Sequence, residues 1–184
     1  MKMTTTAAVA AGICLLSQLA WAGSPATANS IQAGAGFRYG IEMNEGDFNP
    51  WAAGFGATAG YTLPMAVYLG GYFDYFFGRE VEVEGVLTKG NVWELMGQGG
   101  YDIGLGDIWV LRPKVGLGAA RSSVETCTVG LACSKAAQVD FALAPGATFI
   151  LVVDRFKLAF DARYDLIFAD TTTNAVVLSL GAGL

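Results

Sequence analysis

The feature that most constrains the fold is a two-residue alternation of side-chain character, which runs from about residue 31 to the end of the chain. The segment 109–118 is an example, because its odd-numbered residues are apolar and most of its even-numbered residues are small or charged. Successive side chains of a β-strand point to opposite faces, so this pattern predicts strands with one apolar and one polar face. The alternation alone leaves open which face is hidden, and from what.

Eight such segments are long enough to cross a membrane. The predicted strands cover residues 30–42, 51–63, 66–77, 92–103, 108–120, 137–151, 156–168 and 175–184. Each has ten or more residues, and a tilted strand needs roughly 9–11 residues to span a bilayer. Short turns at 64–65, 104–107 and 152–155 alternate with longer loops at 43–50, 78–91, 121–136 and 169–174. This alternation is typical of transmembrane barrels, in which the short turns are periplasmic.

The distribution of charge indicates which face meets lipid. The aromatic-rich face carries no Asp, Glu, Lys or Arg within the predicted strands, and a charged side chain on the lipid face costs roughly 2–4 kcal/mol at mid-bilayer. Charged residues make up only 15% of the chain, against roughly 25% in soluble domains. The sequence therefore predicts an all-β fold, an eight-stranded antiparallel up-and-down transmembrane β-barrel, since an open sheet edge is not tolerated in lipid.

The opposite face would line a lumen filled by polar side chains. The predicted lumen charge network comprises Arg38, Glu42, Asp74, Glu94, Asp102, Arg112, Lys114, Asp140, Lys157, Asp161, Arg163 and Asp165. The hairpin of the fourth and fifth strands is expected to bring Glu94 and Asp102 near Arg112 and Lys114, and the seventh strand to place its charges beside Asp140. Mutual pairing offsets the burial of charges, so we expect a mostly neutralised network, with a proton or ion pathway as the alternative.

The first residues have the pattern of a secretory signal peptide. Lys2 precedes an apolar stretch at 7–16, and small residues stand before a cleavage point after Ala22. Cleavage after Ala28 is a second possibility. We therefore predict a signal peptide at 1–22 and a barrel domain at 23–184. Export permits a disulfide between Cys127 and Cys133.

The strand pattern resembles that of the small eight-stranded outer-membrane proteins of Gram-negative bacteria, of the OmpA and OmpX type. The runs 67–73 and 159–164 are similar to strands of that group, and the last strand is similar to the C-terminal signal that the barrel-assembly machinery reads. The chain differs in ending with Leu184, where the family usually has an aromatic residue. The resemblance implies a location in the cell outer membrane, in contact with its lipid and lipopolysaccharide, and the barrel-assembly machinery as a partner during biogenesis.

The residue inventory narrows the function. The chain contains no histidine, which is the usual general base of barrel-type lipases and acyltransferases, so we expect no enzyme activity and no cofactor. Its net charge of −5 disfavours nucleic acid as a partner. Glu80, Glu82 and Glu84 form an acidic run in one long loop. This run could be a divalent-cation site or a solvated acidic hairpin, and no other metal site is expected.

Three hypotheses about function remain open at this point. The leading one is a structural or surface-interaction role through the extracellular loops, whose ligand the sequence does not indicate. The alternative is a narrow, porin-like channel for small or hydrophobic solutes, for which Pro113 and Pro145 could mark a bulge or gap in the wall. The third is a secreted soluble barrel.

Overall fold

The alternating segments form a single antiparallel sheet. The computed structural model describes residues 25–43, 51–78, 80–83, 85–128, 133–169 and 172–184, so the predicted signal peptide and Glu84 lie outside the described residues. The strands are β1 (Ser30–Glu42), β2 (Ala53–Thr62), β3 (Val67–Phe76), β4 (Glu80–Val83), β5 (Val86–Tyr101), β6 (Ile103–Gly104), β7 (Trp109–Thr128), β8 (Ser134–Val153), β9 (Phe156–Phe168) and β10 (Thr173–Gly183). None of the described residues belongs to a helix long and apolar enough to cross a membrane.

The sheet closes on itself through two pairings. The eight long strands are neighbours in the order β5, β3, β2, β1, β10, β9, β8 and β7, and β5 also pairs with β7. The pairing of β1 with β10 joins the first and last strands over Gly34–Glu42 and Ala175–Gly183. The predicted eight-stranded antiparallel barrel is therefore confirmed. The two short strands are additions, because β4 folds back along β5 and β6 continues the line of β5 beside β7.

The outer surface of the barrel is the apolar face, as the charge distribution predicts. Large side chains such as Phe37, Leu95 and Phe160 are 56%, 60% and 50% exposed. Aromatic rings pack against one another across strands, for example Phe55 on Tyr75, and Trp109 stacked on Phe149 with 4.9 Å between ring centroids. In water such a surface would be a severe aggregation liability. Against hydrocarbon the same surface is stably solvated.

Three strands are longer at the extracellular end than the alternation predicts. β5 begins at Val86 rather than 92, β7 runs on to Thr128 rather than 120, and β8 begins at Ser134 rather than 137. Together with β4 they form a sheet that projects on one side of the barrel. We call this the raised sheet: β4 with residues 86–92 of β5, 121–128 of β7 and 134–140 of β8.

The two strand prolines interrupt hydrogen-bonded pairing without shifting it. The pairing of β8 with β9 stops at Leu143–Leu166 and resumes at Gly146–Arg163 in the same register, with Pro145 in the gap. Likewise, the pairing of β5 with β7 ends at Gly100–Lys114, and β6 resumes it in the same register at Ile103–Leu111, with Pro113 in the gap. Since the register is unchanged, neither proline marks a bulge. Each creates a two-residue gap, consistent with its missing N–H.

Candidate functional sites in the lumen and above the membrane

The central part of the lumen is occupied by a group of charges around one arginine. Arg163 of β9 reaches across the lumen, with Nη1 at 2.6 Å from Asp74 Oδ2 and Nη2 at 2.9 Å from Glu94 Oε2. Its Nε donates to both carboxylate oxygens of Asp165 at 2.9 Å. With Arg38, which binds Asp74, these residues form what we call the Arg163 cluster. All of its carboxylates are fully buried, and three carboxylates face two guanidinium groups.

Glycine allows this cluster to span a strand. Arg38 of β1 binds Asp74 of β3 through Nε, at 2.9 Å from Oδ1, although β2 lies between them. A Cβ atom at Gly56 of β2 would overlap Asp74 Oδ1 and crowd Arg38 Nε. The absence of a side chain at Gly56 is therefore what makes the Arg38–Asp74 contact possible.

A second cluster lies nearer the short turns, which are the periplasmic side. Arg112 donates from Nε to Asp102 Oδ1 at 2.5 Å and from Nη2 to Asp102 Oδ2 at 2.8 Å. Its Nη2 also donates to Gln32 Oε1 at 2.9 Å. The hydroxyls of Thr62 and Thr27 donate to Asp102 Oδ2 at 3.1 and 2.5 Å. These five residues form the Arg112 cluster, in which one arginine meets one carboxylate and the remaining contacts are neutral.

Both arginines lie over tyrosine rings. The Arg112 guanidinium carbon is 3.6 Å from the ring centroid of Tyr68, and that of Arg163 is 4.5 Å from the ring centroid of Tyr72. Such cation–π contacts are worth about 2 kcal/mol when desolvated. Tyr68 in turn covers Gly60, where a Cβ atom would collide with its ring. Each cluster is thus held by an aromatic platform as well as by ion pairs.

The structure places the remaining predicted lumen charges in three different settings. Lys114 forms an ion pair with Asp161 at 2.7 Å, and Thr148 donates to the same oxygen at 2.6 Å. Lys157 lies at the periplasmic end, half-buried, and forms no ion pair with a described residue. Glu42 ends β1 at the extracellular rim. Asp140, also at that rim, accepts a hydrogen bond from Gln138 rather than from an arginine.

Two of the expected pairings are wrong. Glu94 binds Arg163 across the lumen instead of Arg112 or Lys114 on the neighbouring strand, and Asp140 is not beside Arg163. Only Asp102 and Arg112 meet as the hairpin predicts. The reason is geometric, because the staggered strands of a narrow barrel bring side chains from opposite walls together at one height.

The extracellular half of the lumen also contains an apolar layer that the sequence did not predict. The layer is formed by Trp51, Phe76, Val92, Met96, Ile167 and Val177. Tyr72 and four alanines, Ala120, Ala142, Ala144 and Ala175, complete it. Trp51 and Phe76 are 0% exposed and meet edge to face, with 5.2 Å between ring centroids. The signal was present in the alternation, since Phe76, Val92 and Ile167 have the same parity as the inward charges of their own strands.

Below these layers the lumen contains a cavity of about 90 Å³. One wall of the cavity is made of small residues near the seam of β1 with β10, including Gly34, Gly181 and Gly183. The opposite wall carries Tyr68, Tyr72 and Lys114. Small residues on one side thus leave space that the large polar residues on the other side do not fill.

The raised sheet carries a row of charges of alternating sign. Directly paired backbone positions place Glu80 beside Lys89, Lys89 beside Glu125, and Glu125 beside Lys135. Glu80 accepts a hydrogen bond from Lys89. This hydrogen bond and the charge of Glu80 raise the pKa of Lys89, with a smaller Coulombic contribution from Glu125. Opposite charges on adjacent strands stabilise a sheet, so the row supports the strand extensions.

The extracellular loops were predicted to contain a disulfide and a cation site. Cys127 and Cys133 are joined by a disulfide at the tip of the raised sheet. Glu125 lies close to both sulfur atoms, but disulfide sulfurs are not thiolate ligands. The carboxylate of Glu80 forms an ion pair with Lys89, and Glu84 lies outside the described residues. The cation site at Glu80, Glu82 and Glu84 stays a prediction.

Comparison with known proteins identifies the architecture. The barrel is similar to the attachment invasion locus protein Ail of Yersinia pestis, solved in complex with the heparin analogue sucrose octasulfate, at 20% identity over 84% of this chain and 96% of that chain, with a TM-score of 0.60. It is also similar to Neisserial surface protein A, at 15% identity over 84% and 94% of the two chains, with a TM-score of 0.51. A major outer membrane protein from Thermus thermophilus aligns at 12% identity over 84% and 98%, with a TM-score of 0.60. None of the curated proteins matches the sequence.

These likenesses agree with the lipid-facing surface and the closed sheet described above. The sequence also matches, over residues 7–183, the family described as the outer membrane protein beta-barrel domain. The chain therefore belongs to the outer membrane protein beta-barrel family and is a protein of the cell outer membrane.

Proposed function

We propose that this protein acts in surface interaction, binding an extended polypeptide along the free edge of its raised sheet. The observation that carries the proposal is the unpaired edge of β8. Pairing of β8 with β9 begins only at Phe141–Phe168, so residues 134–140 have a neighbour on one side, β7, and none among the described residues on the other. A strand edge that projects into water offers free N–H and C=O groups to an incoming strand.

The side chains of this edge suit strand addition. Residues 134–139 are all exposed and read Ser-Lys-Ala-Ala-Gln-Val, with one charge and no proline. Exposed edges are normally protected by bulges, prolines or several charges. The Cys127–Cys133 disulfide ties the end of β7 to the start of β8 beside this edge, which limits the freedom of these strand ends that a binding partner would have to restrict.

The charge of the raised sheet argues for a polypeptide rather than a polyanion. The described part of the sheet carries three positive side chains, Lys89, Arg121 and Lys135, against four negative ones, Glu80, Glu82, Glu125 and Asp140, so it has no net positive patch. Binding a sulfated ligand needs clustered Lys and Arg side chains. The surface charge of this chain therefore gives no reason to propose that it binds a sulfated ligand such as the heparin analogue bound to Ail.

Contacts with the envelope itself form part of the proposal. Arg121 lies on the outward face between Trp93 and Val139, at the level where the apolar belt ends, which suits a phosphate group of lipopolysaccharide. The lipid-facing alternation of β10 supports recognition by the barrel-assembly machinery. The buried apolar layer and the ion-paired clusters favour a role that does not involve conduction, and we assign no enzymatic activity.

The proposal can be tested by site-specific photocrosslinking in intact cells of the native host. A benzophenone amino acid at Ala136, on the free edge, is expected to give a discrete protein adduct, whereas the matched control at Ala57 of β2 is lipid-facing and is expected to give none. Absence of a protein adduct at Ala136, or the same adducts at both positions, would exclude binding along this edge. Retention of the expressing cells on a sulfated-polysaccharide matrix would favour a polyanion instead.

A further inference from the structure

The cavity in the periplasmic half of the lumen is lined by an excess of positive charge. The charged side chains of its lining are Arg38, Arg112, Lys114, Lys157 and Arg163 against one carboxylate, Asp161, and the terminal residue Leu184 lines its end. The carboxylates that bind the three arginines, namely Asp74, Glu94, Asp102 and Asp165, are not part of the lining. The arginines thus stand between the cavity and their own counter-ions, so the cavity faces cations.

Several of these cations have hydrogen-bond donors to spare. The side chain of Lys157 forms no hydrogen bond or ion pair with a described residue, and it lines the same cavity as the like-charged Arg112. The hydrogen bonds of Arg112 use Nε and Nη2, which leaves Nη1 without a protein acceptor among the described residues. The ammonium of Lys114 has one carboxylate partner for its three protons.

Two neutral donors belong to residues that line the same cavity. Ser179 and Tyr72 are part of the lining, and their hydroxyl oxygens are buried without a hydrogen-bond partner among the described residues. Buried polar atoms are nearly always satisfied by protein, water or ligand. One water needs at least about 10–15 Å³ of such space, so the cavity of about 90 Å³ has room for several waters or for an ion the size of phosphate.

We propose that this cavity is a binding site for a small inorganic oxyanion, with Lys157 as its principal ligand and Lys114, Arg112 and Ser179 as further donors. An anion here completes the hydrogen bonds of the spare donors and offsets the like charges of Lys157 and Arg112. Lys157 and Leu184 place one end of the cavity at the periplasmic mouth, where ions can enter without crossing the apolar layer. The site is independent of the raised sheet and of any partner bound there.

Calorimetric titration of inorganic phosphate into the purified protein tests this proposal, with the barrel held in a phosphate-free maltoside detergent at pH 7 and low ionic strength. We expect saturable binding near one ion per chain, weakened at least tenfold by Lys157→Met and retained within about threefold by Lys157→Arg. Lys135→Met removes the same charge from the exposed raised sheet and is expected to leave binding unchanged.

Three outcomes would overturn the proposal. Absence of saturable heat in the wild type means that the cavity holds only water. Equal affinity in wild type and Lys157→Met places any bound phosphate elsewhere. Equal weakening by Lys135→Met and Lys157→Met shows a general electrostatic effect rather than a site. Lys157 lies at the end of a strand and is half-buried, and the heat-dependent gel mobility of the folded barrel would confirm that each variant has folded.

Discussion

The Arg163 and Arg112 clusters bury the same side chain in the same lumen in two different ways. Each arginine lies over a tyrosine ring and is almost inaccessible to solvent. Arg163 contacts three carboxyl groups, and with Arg38 the cluster has three carboxyl groups against two guanidinium groups. Arg112 contacts one carboxylate, and its other hydrogen bonds go to the amide of Gln32 and the hydroxyl of Thr62. The Arg163 cluster is therefore held mainly by ion pairs, and the Arg112 cluster by one ion pair with neutral hydrogen bonds around it.

Removal of the central arginine should separate the two clusters most clearly. Arg163→Met leaves three buried carboxylates without their common donor, and we expect a loss of about 3–5 kcal/mol in the free energy of unfolding, the range for breaking a buried ion pair. Arg112→Met should cost less, because Asp102 keeps hydrogen bonds from Thr27 and Thr62. Urea unfolding in detergent, followed by tryptophan fluorescence, measures both values. A larger loss for Arg112→Met than for Arg163→Met would contradict the prediction that the Arg163 cluster depends more strongly on its arginine.

Neutralising one carboxylate in each cluster should give effects of different size. Asp102→Asn removes the one anion bound to Arg112, and we expect a loss of about 3 kcal/mol, because a buried guanidinium is left unpaired. Glu94→Gln leaves two carboxyl groups against two guanidinium groups in the Arg163 cluster and keeps an oxygen acceptor, so its effect should stay within about 1 kcal/mol. The same unfolding measurement compares the two variants. If Glu94→Gln costs as much as Asp102→Asn, the third carboxyl group is not surplus in the Arg163 cluster.

The smallest effect concerns Thr27, which belongs to the Arg112 cluster alone. Its hydroxyl is buried and donates to Asp102 at 2.5 Å, so Thr27→Val in the refolded mature chain should cost about 1 kcal/mol. Ala26→Val, on the exposed side of the same turn, serves as the control and should change nothing.

The same contact bears on processing of the signal peptide. Cleavage after Ala28 would remove Thr27, whereas cleavage after Ala22 retains it. We therefore expect the intact mass of the protein from cells to correspond to a chain that begins at Gly23. A mature chain that begins at Asn29 would show that the Arg112 cluster functions without Thr27.

Much of the barrel could be predicted because its signals are local. The bounds of β1 and β9 agree with the alternation to the residue, and the charge-free outward face identified the lipid side. The extensions of β5, β7 and β8 were missed because solvated strands need no apolar face, so the alternation stops although the pairing continues. The inward apolar residues Phe76 and Val177 were not predicted, because the inward face was identified by its charged side chains, although Phe76 has the same parity as Asp74 on β3.

The sequence by itself determined that the chain forms membrane-spanning strands, which face meets lipid and which charges turn inward. Those properties follow from the two-residue period of a strand and from the cost of a charge in hydrocarbon. Only the tertiary structure decided that Arg163 binds Glu94 rather than a residue on the next strand, that Thr27 joins the Arg112 cluster, and that Lys157 faces an open cavity. The physical reason is that closure and stagger of the strands set which side chains meet across the lumen, and this information is not carried by any single strand.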